Sequence, residues 1–163
     1  MSGAGISILV TSDAVVRGER EDLSGKMAKE LFVRAGHRVK RLDYLENNAK
    51  KISKWVKEAC RDSDIVFITG GTGVGPRDLS IEAVEPLLEK TLPGFGEIFR
   101  YETYVNKGTI AWLSRAQAGV IGRCAVFVVP GSPDAVTVAV NLILPEIEHL
   151  RRVLSGERHA PNP

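Results

Sequence analysis

Residues 64–78, DIVFITGGTGVGPRD, constrain the fold of this chain more than any other stretch. Residues 65–69 are a β-branched and aromatic apolar run with a polar residue before it and glycine after it, the pattern of a buried strand. The run leads directly into Gly70, Gly71, Gly73 and Gly75. A glycine-rich bend brings backbone N–H groups close to a ligand with no Cβ in the way. At a strand-to-helix turn such groups suit an anion, and phosphate is the usual one. The plainer alternative is a tight turn that uses glycine only for φ > 0, for which one glycine suffices. The loop closes with Pro76-Arg77-Asp78, and Ser80 reads as the cap of a short helix that Pro86 kinks or ends.

The rest of the chain supplies a sheet around that strand. Residues 6–10 form a short apolar first strand, expected to be central, ending in Thr11-Ser12-Asp13. Polar groups at a strand C-terminus are ligand contacts in open α/β sheets, although Ser and Asp are also turn formers. The charged stretch 16–22 is expected to be a solvated loop. Ser24 reads as the N-cap of a helix to about residue 35, with Met27, Ala28, Leu31, Phe32 and Ala35 along one face and Gly36 as its stop. Residues 37–44 form a second strand near an edge, because Lys and Arg alternate with Val39 and Leu42. Asn47-Asn48 opens a helix that buries Ile52, Trp55, Val56 and Ala59. Lys50, Lys54 and Lys57 line its other side, where a solvated face is the expectation and a nucleic-acid patch the alternative.

Residues 92–107 begin with a Pro-Gly turn and continue as a helix with Ile98, Phe99 and Val105 inward. Phe95, Phe99, Tyr101 and Tyr104 suit stacking on a planar ligand, but at helical spacing they more often mark a core or a subunit interface. Gly108 breaks this helix, and residues 109–115 start another. Residues 124–129 are a second fully apolar strand, followed by Pro130-Gly131-Ser132-Pro133. Ser132 as N-cap with Pro133 at the first helical position predicts a helix start. That helix carries Val136, Val140, Ile143, Leu144, Ile147 and Leu150 inward, with a kink at Pro145. Alternating strands and helices predict a single α/β domain over residues 1–155, three-layered and Rossmann-like, with a mostly parallel central sheet flanked by helices. Residues 156–163 lack an apolar face and read as a loose tail. Three strand ends, at 11–13, 70–78 and 130–133, then open on one sheet edge, where such folds place ligands.

Composition excludes several classes of function. A net charge of +2 on 163 residues argues against nucleic acid or an anionic membrane as the main partner. Cys60 and Cys124 are lone and widely spaced, which predicts buried thiols in a reducing compartment and no metal or redox motif. His37, His149 and His159 have no ligand-like spacing. The N-terminus lacks the pattern of a signal peptide, and the longest apolar run is too short to cross a bilayer, so a cytoplasmic chain is expected. Two phosphate motifs also fail. Gly75 is followed by Pro-Arg-Asp and not by the Lys-Ser/Thr of a P-loop, and G-G-T-G-V-G after the third strand is not the dinucleotide fingerprint. An oxidoreductase on a nucleotide-binding sheet is therefore the weakest reading. Asp78 beside an anion-binding loop would repel the ligand unless a cation lay between them, which makes it a Mg²⁺ candidate; a plain helix cap is the alternative.

Gly70-Gly71-Thr72-Gly73 with Arg77-Asp78, then residues 93–97 (PGFGE), Leu113-Ser114-Arg115 with Ala118-Gly119, and Pro130-Gly131-Ser132-Pro133 together resemble the MogA/MoaB family of molybdenum-cofactor biosynthesis. Thr11-Ser12-Asp13 and Asp22-x-Ser24-Gly25 fit it as well, and the charged loop 18–22 looks more like the MoaB branch. The resemblance implies molybdopterin adenylyltransferase activity with ATP as co-substrate and Mg²⁺, molybdopterin as substrate, and release of pyrophosphate. It implies that residues 71–75 hold phosphate and Asp78 holds Mg²⁺, with Ser12, Asp13, Ser24, Gly131 and Ser132 near the pterin and nucleotide pockets. Ser114 and Arg115 would add polar contacts. It further implies a homotrimer or homohexamer, with residues 95–104 as the candidate interface, and hand-over to the metal-insertion protein of the pathway, for molybdenum or tungsten. One departure stands out. Active relatives carry an acidic pair where this chain has Asn47-Asn48, so Asn47 would supply a neutral oxygen unless Glu46 or Asp43 compensates. A non-catalytic molybdopterin-binding or partner-docking paralogue is the alternative.

Overall fold

The computed structural model describes residues 2–157. Six strands form one sheet: β1 (Gly5–Thr11), β2 (Arg38–Leu45), β3 (Ile65–Thr69), β4 (Lys90–Thr91), β5 (Gln117–Ile121) and β6 (Cys124–Val129). Their spatial order is β2-β1-β3-β6-β5-β4. The first four in that order are parallel, and β5 and β4 complete the sheet antiparallel. The helices are α1 (Asp13–Val16), α2 (Ser24–Arg34), α3 (Ala49–Ala59), α4 (Ser80–Val84), α5 (Pro93–Lys107), α6 (Pro133–Ile143) and α7 (Ile147–Leu154). None of them is long and apolar enough to cross a membrane.

Alternation along β3 explains why it reads as an unbroken apolar run. Ile65 and Phe67 join a core with Phe32, Val136 and Val140, under α2 and α6. Val66 and Ile68 join a second core with Ile52, Val56 and Val84, under α3 and α4. With both sheet faces covered, every position on a central strand must be apolar. β2 is an edge strand as its charges require, whereas β1 lies one place in from it and the middle of the sheet is β3 beside β6.

Several local expectations are corrected. Ser24 and Ser80 are the first residues of α2 and α4, not their caps; Leu23 and Leu79 occupy the cap positions without side-chain bonds. For α2 the capping role passes to Asp22, whose Oδ1 accepts from Gly25 N at 2.8 Å. Ile98 and Val105 are exposed, and of the three positions expected inward on α5 only Phe99 is buried. Ala35 is also exposed. Residues Gly108–Leu113 are a 3₁₀ helix. Strands β4 and β5 had no counterpart in the sequence reading; Gly122, at φ 60°, turns β5 into β6 through a two-residue hairpin. Ser132 caps α6 with Pro133 next, and Pro145 lies in a 3₁₀ turn (Leu144–Glu146) that kinks the chain into α7. His37 Nδ1 accepts from Ala4 N. His159 and residues 158–163 of the expected tail lie outside the described residues.

Candidate active site at the carboxyl edge of the sheet

The three parallel strand ends are tied together before any ligand is considered. Gly70 N donates to Val129 O at 2.8 Å, and Thr69 Oγ1 to Pro130 O at 2.9 Å. Ser24 Oγ donates to Gly131 O at 2.7 Å, so this hydroxyl spans from α2 to the turn after β6. On the other side, Thr11 Oγ1 and the fully buried Ser80 Oγ share a 3.0 Å hydrogen bond.

The glycines divide into two pairs with different physical reasons. Gly70 and Gly71 have φ of 108° and 70°, and a Cβ on Gly70 would lie 2.2 Å from Thr11 O. Gly73 and Gly75 have ordinary φ; they make room for Asp78, whose Oδ2 would lie 2.7 and 2.9 Å from their Cβ atoms. Gly75 N donates to that Oδ2 at 2.8 Å, so the loop curls around the carboxylate. The N–H groups of Gly71, Thr72 and Gly73 donate to no protein acceptor among the described residues.

Two arginines hold the loop from opposite flanks. Arg115 Nε and Nη2 donate to Gly73 O at 3.0 and 2.6 Å, and Nη2 reaches Asp78 O at 3.4 Å. The same guanidinium pairs with Glu82, which lowers the Glu82 pKa and raises that of Arg115. Arg115 therefore faces the loop's own carbonyls. Arg77 forms a two-pronged pair with Asp13, Nε to Oδ2 and Nη2 to Oδ1, both 3.0 Å. The Arg77 hydrogen bonds, then the N–H of Asn47 at 2.9 Å, hold the Asp13 carboxyl down at about 2. Ser12 Oγ caps α1 and accepts from Arg20 at 3.3 Å.

Asn47 Oδ1 is buried and has no partner among the described residues. It faces the back of Gly71, whose Cβ would lie 3.0 Å away. The acids near it are engaged: Glu46 pairs with Lys51 at 2.6 Å, and Asp43 accepts from Trp55 Nε1 at 2.8 Å. Tyr44 donates to Asp22 Oδ2, and burial together with that bond pushes its pKa up to about 12.

A cleft of about 400 Å³ opens over the loop. Gly71, Thr72, Gly73 and Asp78 form one wall, Ser114 and Pro130-Gly131-Ser132 border it, and Phe99, Ile110, Leu113 and Val138 form an apolar wall. Thr103, Asn106, Lys107 and Asp134 also line it, the last two as a 3.0 Å ion pair. Those four escaped the sequence reading, and they sit on helices with no motif to mark them. Ser12, Asp13, Glu46 and Asn47 gather on the far side of the loop, Ser24 lies beneath the Gly131 turn, and Arg115 lies behind Gly73.

The model for a probable molybdopterin binding domain matches residues 7–149. The chain belongs to this family of molybdenum cofactor biosynthesis proteins. Within it, the molybdenum cofactor biosynthesis protein B of Bacillus subtilis is 40% identical over 155 residues, covering 93% of this chain and 90% of the relative. The protein of the same name from Bacillus anthracis is 44% identical over 147 residues, covering 88% and 86%. The crystal structure of the tungsten cofactor synthesizing protein MoaB from Pyrococcus furiosus superposes with a TM-score of 0.87 at 32% identity, over 98% of this chain and 99% of that one. The MoaB/MogA relationship, the six-stranded α/β fold and a place in molybdenum or tungsten cofactor biosynthesis follow for this chain as well.

Proposed function

We propose that this chain binds molybdopterin and adenylylates its terminal phosphate with Mg-ATP. The observation that carries the reading is the glycine loop, with three adjacent N–H groups lacking acceptors among the described residues, lining a cleft that Phe99, Ile110, Leu113 and Val138 also line. The first half suits phosphate and the second a flat heterocycle. In the reaction a terminal phosphate oxygen of molybdopterin forms a bond to the α-phosphorus of ATP, the bond to the β-phosphate bridging oxygen breaks, and pyrophosphate leaves with both electrons. The chain's part is to hold two anions in line and to donate hydrogen bonds where charge accumulates. Gly71, Thr72 and Gly73 would do so through the backbone, with Ser114, Gly131 and Ser132 bordering the same space.

The residues present fit a magnesium ion. Asp78 is a carboxylate on the cleft that spends one oxygen on Gly75, while the orphaned buried oxygen of Asn47 lies behind Gly71 and outside the cleft lining. Mg²⁺ asks for one or two protein oxygens plus phosphate and water, and when bound it would neutralise phosphate charge. Asp78 is the better of the two; Glu46 is engaged by Lys51. The test is pyrophosphate release from ATP, dependent on molybdopterin and Mg²⁺ and lost in Asp78→Ala. Wild type that binds the pterin but releases no pyrophosphate would favour the second reading, a non-catalytic molybdopterin-binding protein, which the neutral Asn47 supports. Asn47→Asp should then create activity. Assembly as a homotrimer or homohexamer belongs to the same proposal; exposed Tyr101, Tyr104, Val105 and Trp112 supply an apolar face for it. A monomeric mass by light scattering would remove that part. The metal-insertion protein of the pathway would receive the product.

A further inference from the structure

Helix α3 carries charge where its own stability does not want it. Lys50, Lys54 and Lys57 follow one another at spacings of four and three on α3, so they form a single stripe, and Arg61 lies just past the helix end. Each neighbouring pair is a like-charge pair at contact spacing, which destabilises a helix. A cation near the helix C-terminus is favoured by the dipole, which accounts for Lys57 and Arg61. Near the N-terminus the dipole opposes Lys50, and no acidic residue occupies the first turn. Lys51, beside it, is neutralised by Glu46. None of Lys50, Lys54, Lys57 and Arg61 is in an ion pair among the described residues.

The stripe borders a groove of about 590 Å³ between α3 and α4, which shares no lining residue with the cleft. Its floor is apolar, from Ala49, Ala83, Pro86 and Leu87. Of the two acids on its walls, Glu58 is exposed and Glu82 is already paired with Arg115. We infer that this groove docks an acidic, amphipathic segment of a partner protein, its carboxylates on the α3 stripe and its apolar side chains on the Ala83–Pro86–Leu87 floor. The charge is complementary, and the repulsion built into free α3 is relieved when the partner's carboxylates arrive. An apolar floor and an exposed glutamate suit a peptide better than a nucleic-acid backbone. No aromatic side chain lines the groove to stack a base. The inference stands apart from the chemistry proposed for the cleft.

The test uses the full chain and a fluorescein-labelled synthetic helix of about 20 residues, with glutamates on one face and leucines on the other, read by anisotropy. Wild type should bind it, and a fivefold rise in salt should weaken binding by about tenfold. Lys50→Glu with Lys54→Glu should weaken it by at least about tenfold. Lys50→Gln with Lys54→Gln gives a milder version of the same loss, in case the reversal does not fold. The control, Lys29→Glu with Arg38→Glu, makes the same charge change on another face and should leave affinity within about twofold. The proposal is overturned if wild type ignores the peptide at low salt, if stripe and control variants lose equally, or if a DNA or RNA oligonucleotide binds the stripe in its place. It also fails if the reversal changes the protein's own oligomeric mass and the peptide is not bound, since the stripe is then a contact between copies.

Discussion

Arg115 and Glu82 make opposite predictions depending on whether the guanidinium braces the loop or waits for a phosphate. Arg115 gives Gly73 O a forked, charge-assisted contact, worth about 2 kcal/mol when both prongs are made. The 3.4 Å approach to Asp78 O adds little. The ion pair to Glu82, with side chains 35% and 45% exposed, adds about 0.5 kcal/mol after solvent screening. Arg115→Ala should therefore destabilise the bound form of the loop by about 2–3 kcal/mol, which on the proposed function weakens ATP binding by roughly 30- to 150-fold. Arg115→Lys keeps the charge but loses the fork, so it should recover only part of that. The deciding variant is Glu82→Gln. A brace loses its anchor, and affinity falls by about twofold; an Arg115 that contacts phosphate is set free, and affinity rises. Isothermal titration with ATP, beside hydrogen exchange at the amides of residues 72–75, reads both. Unchanged exchange in Arg115→Ala, or tighter ATP binding in Glu82→Gln, would refute the brace.

Two further outcomes follow from the same loop. The Arg77 hydrogen bonds hold the Asp13 carboxyl at about 2, below the ordinary aspartate value of 3.8, so the unfolded chain takes up the proton first as pH falls. Its pairing with Arg77 contributes fully above pH 4 and is lost between about pH 4 and 2; urea midpoints should fall over that window, and Asp13→Asn should flatten the fall. Gly73→Ala puts a Cβ 2.7 Å from Asp78 Oδ2 at an ordinary φ. It should displace the carboxylate and weaken Mg-ATP binding by about tenfold while changing the melting temperature little, a split that titration and thermal melting check together.

What could be read in the chain alone follows a physical division between near and far. The runs at 65–69 and 124–129 are legible because a strand covered on both faces admits only apolar residues, and the α3 face because Ile52, Trp55, Val56 and Ala59 share one helical stripe. Ser132, Ser24 and Ser80 look alike locally, yet only Ser132 spends its hydroxyl on its own helix. Ser24 spends it on Gly131, 107 residues away, and Ser80 on Thr11, 69 residues away, so no window around either serine could reveal its role. β4 is two residues long, and β5 contains Gly119, needed because a Cβ there would meet Lys90 O at 2.6 Å. That need exists only once the strands pair. Asn47 belongs to both sides of the division. The missing charge is visible in the sequence; only the fold shows that the neutral oxygen standing in its place is buried behind Gly71 and unclaimed by any donor among the described residues. An unclaimed buried acceptor costs stability unless something binds it. Asn47→Ser, which removes that oxygen, should therefore leave the melting temperature unchanged or raise it, a comparison that thermal melting of the two proteins reads directly.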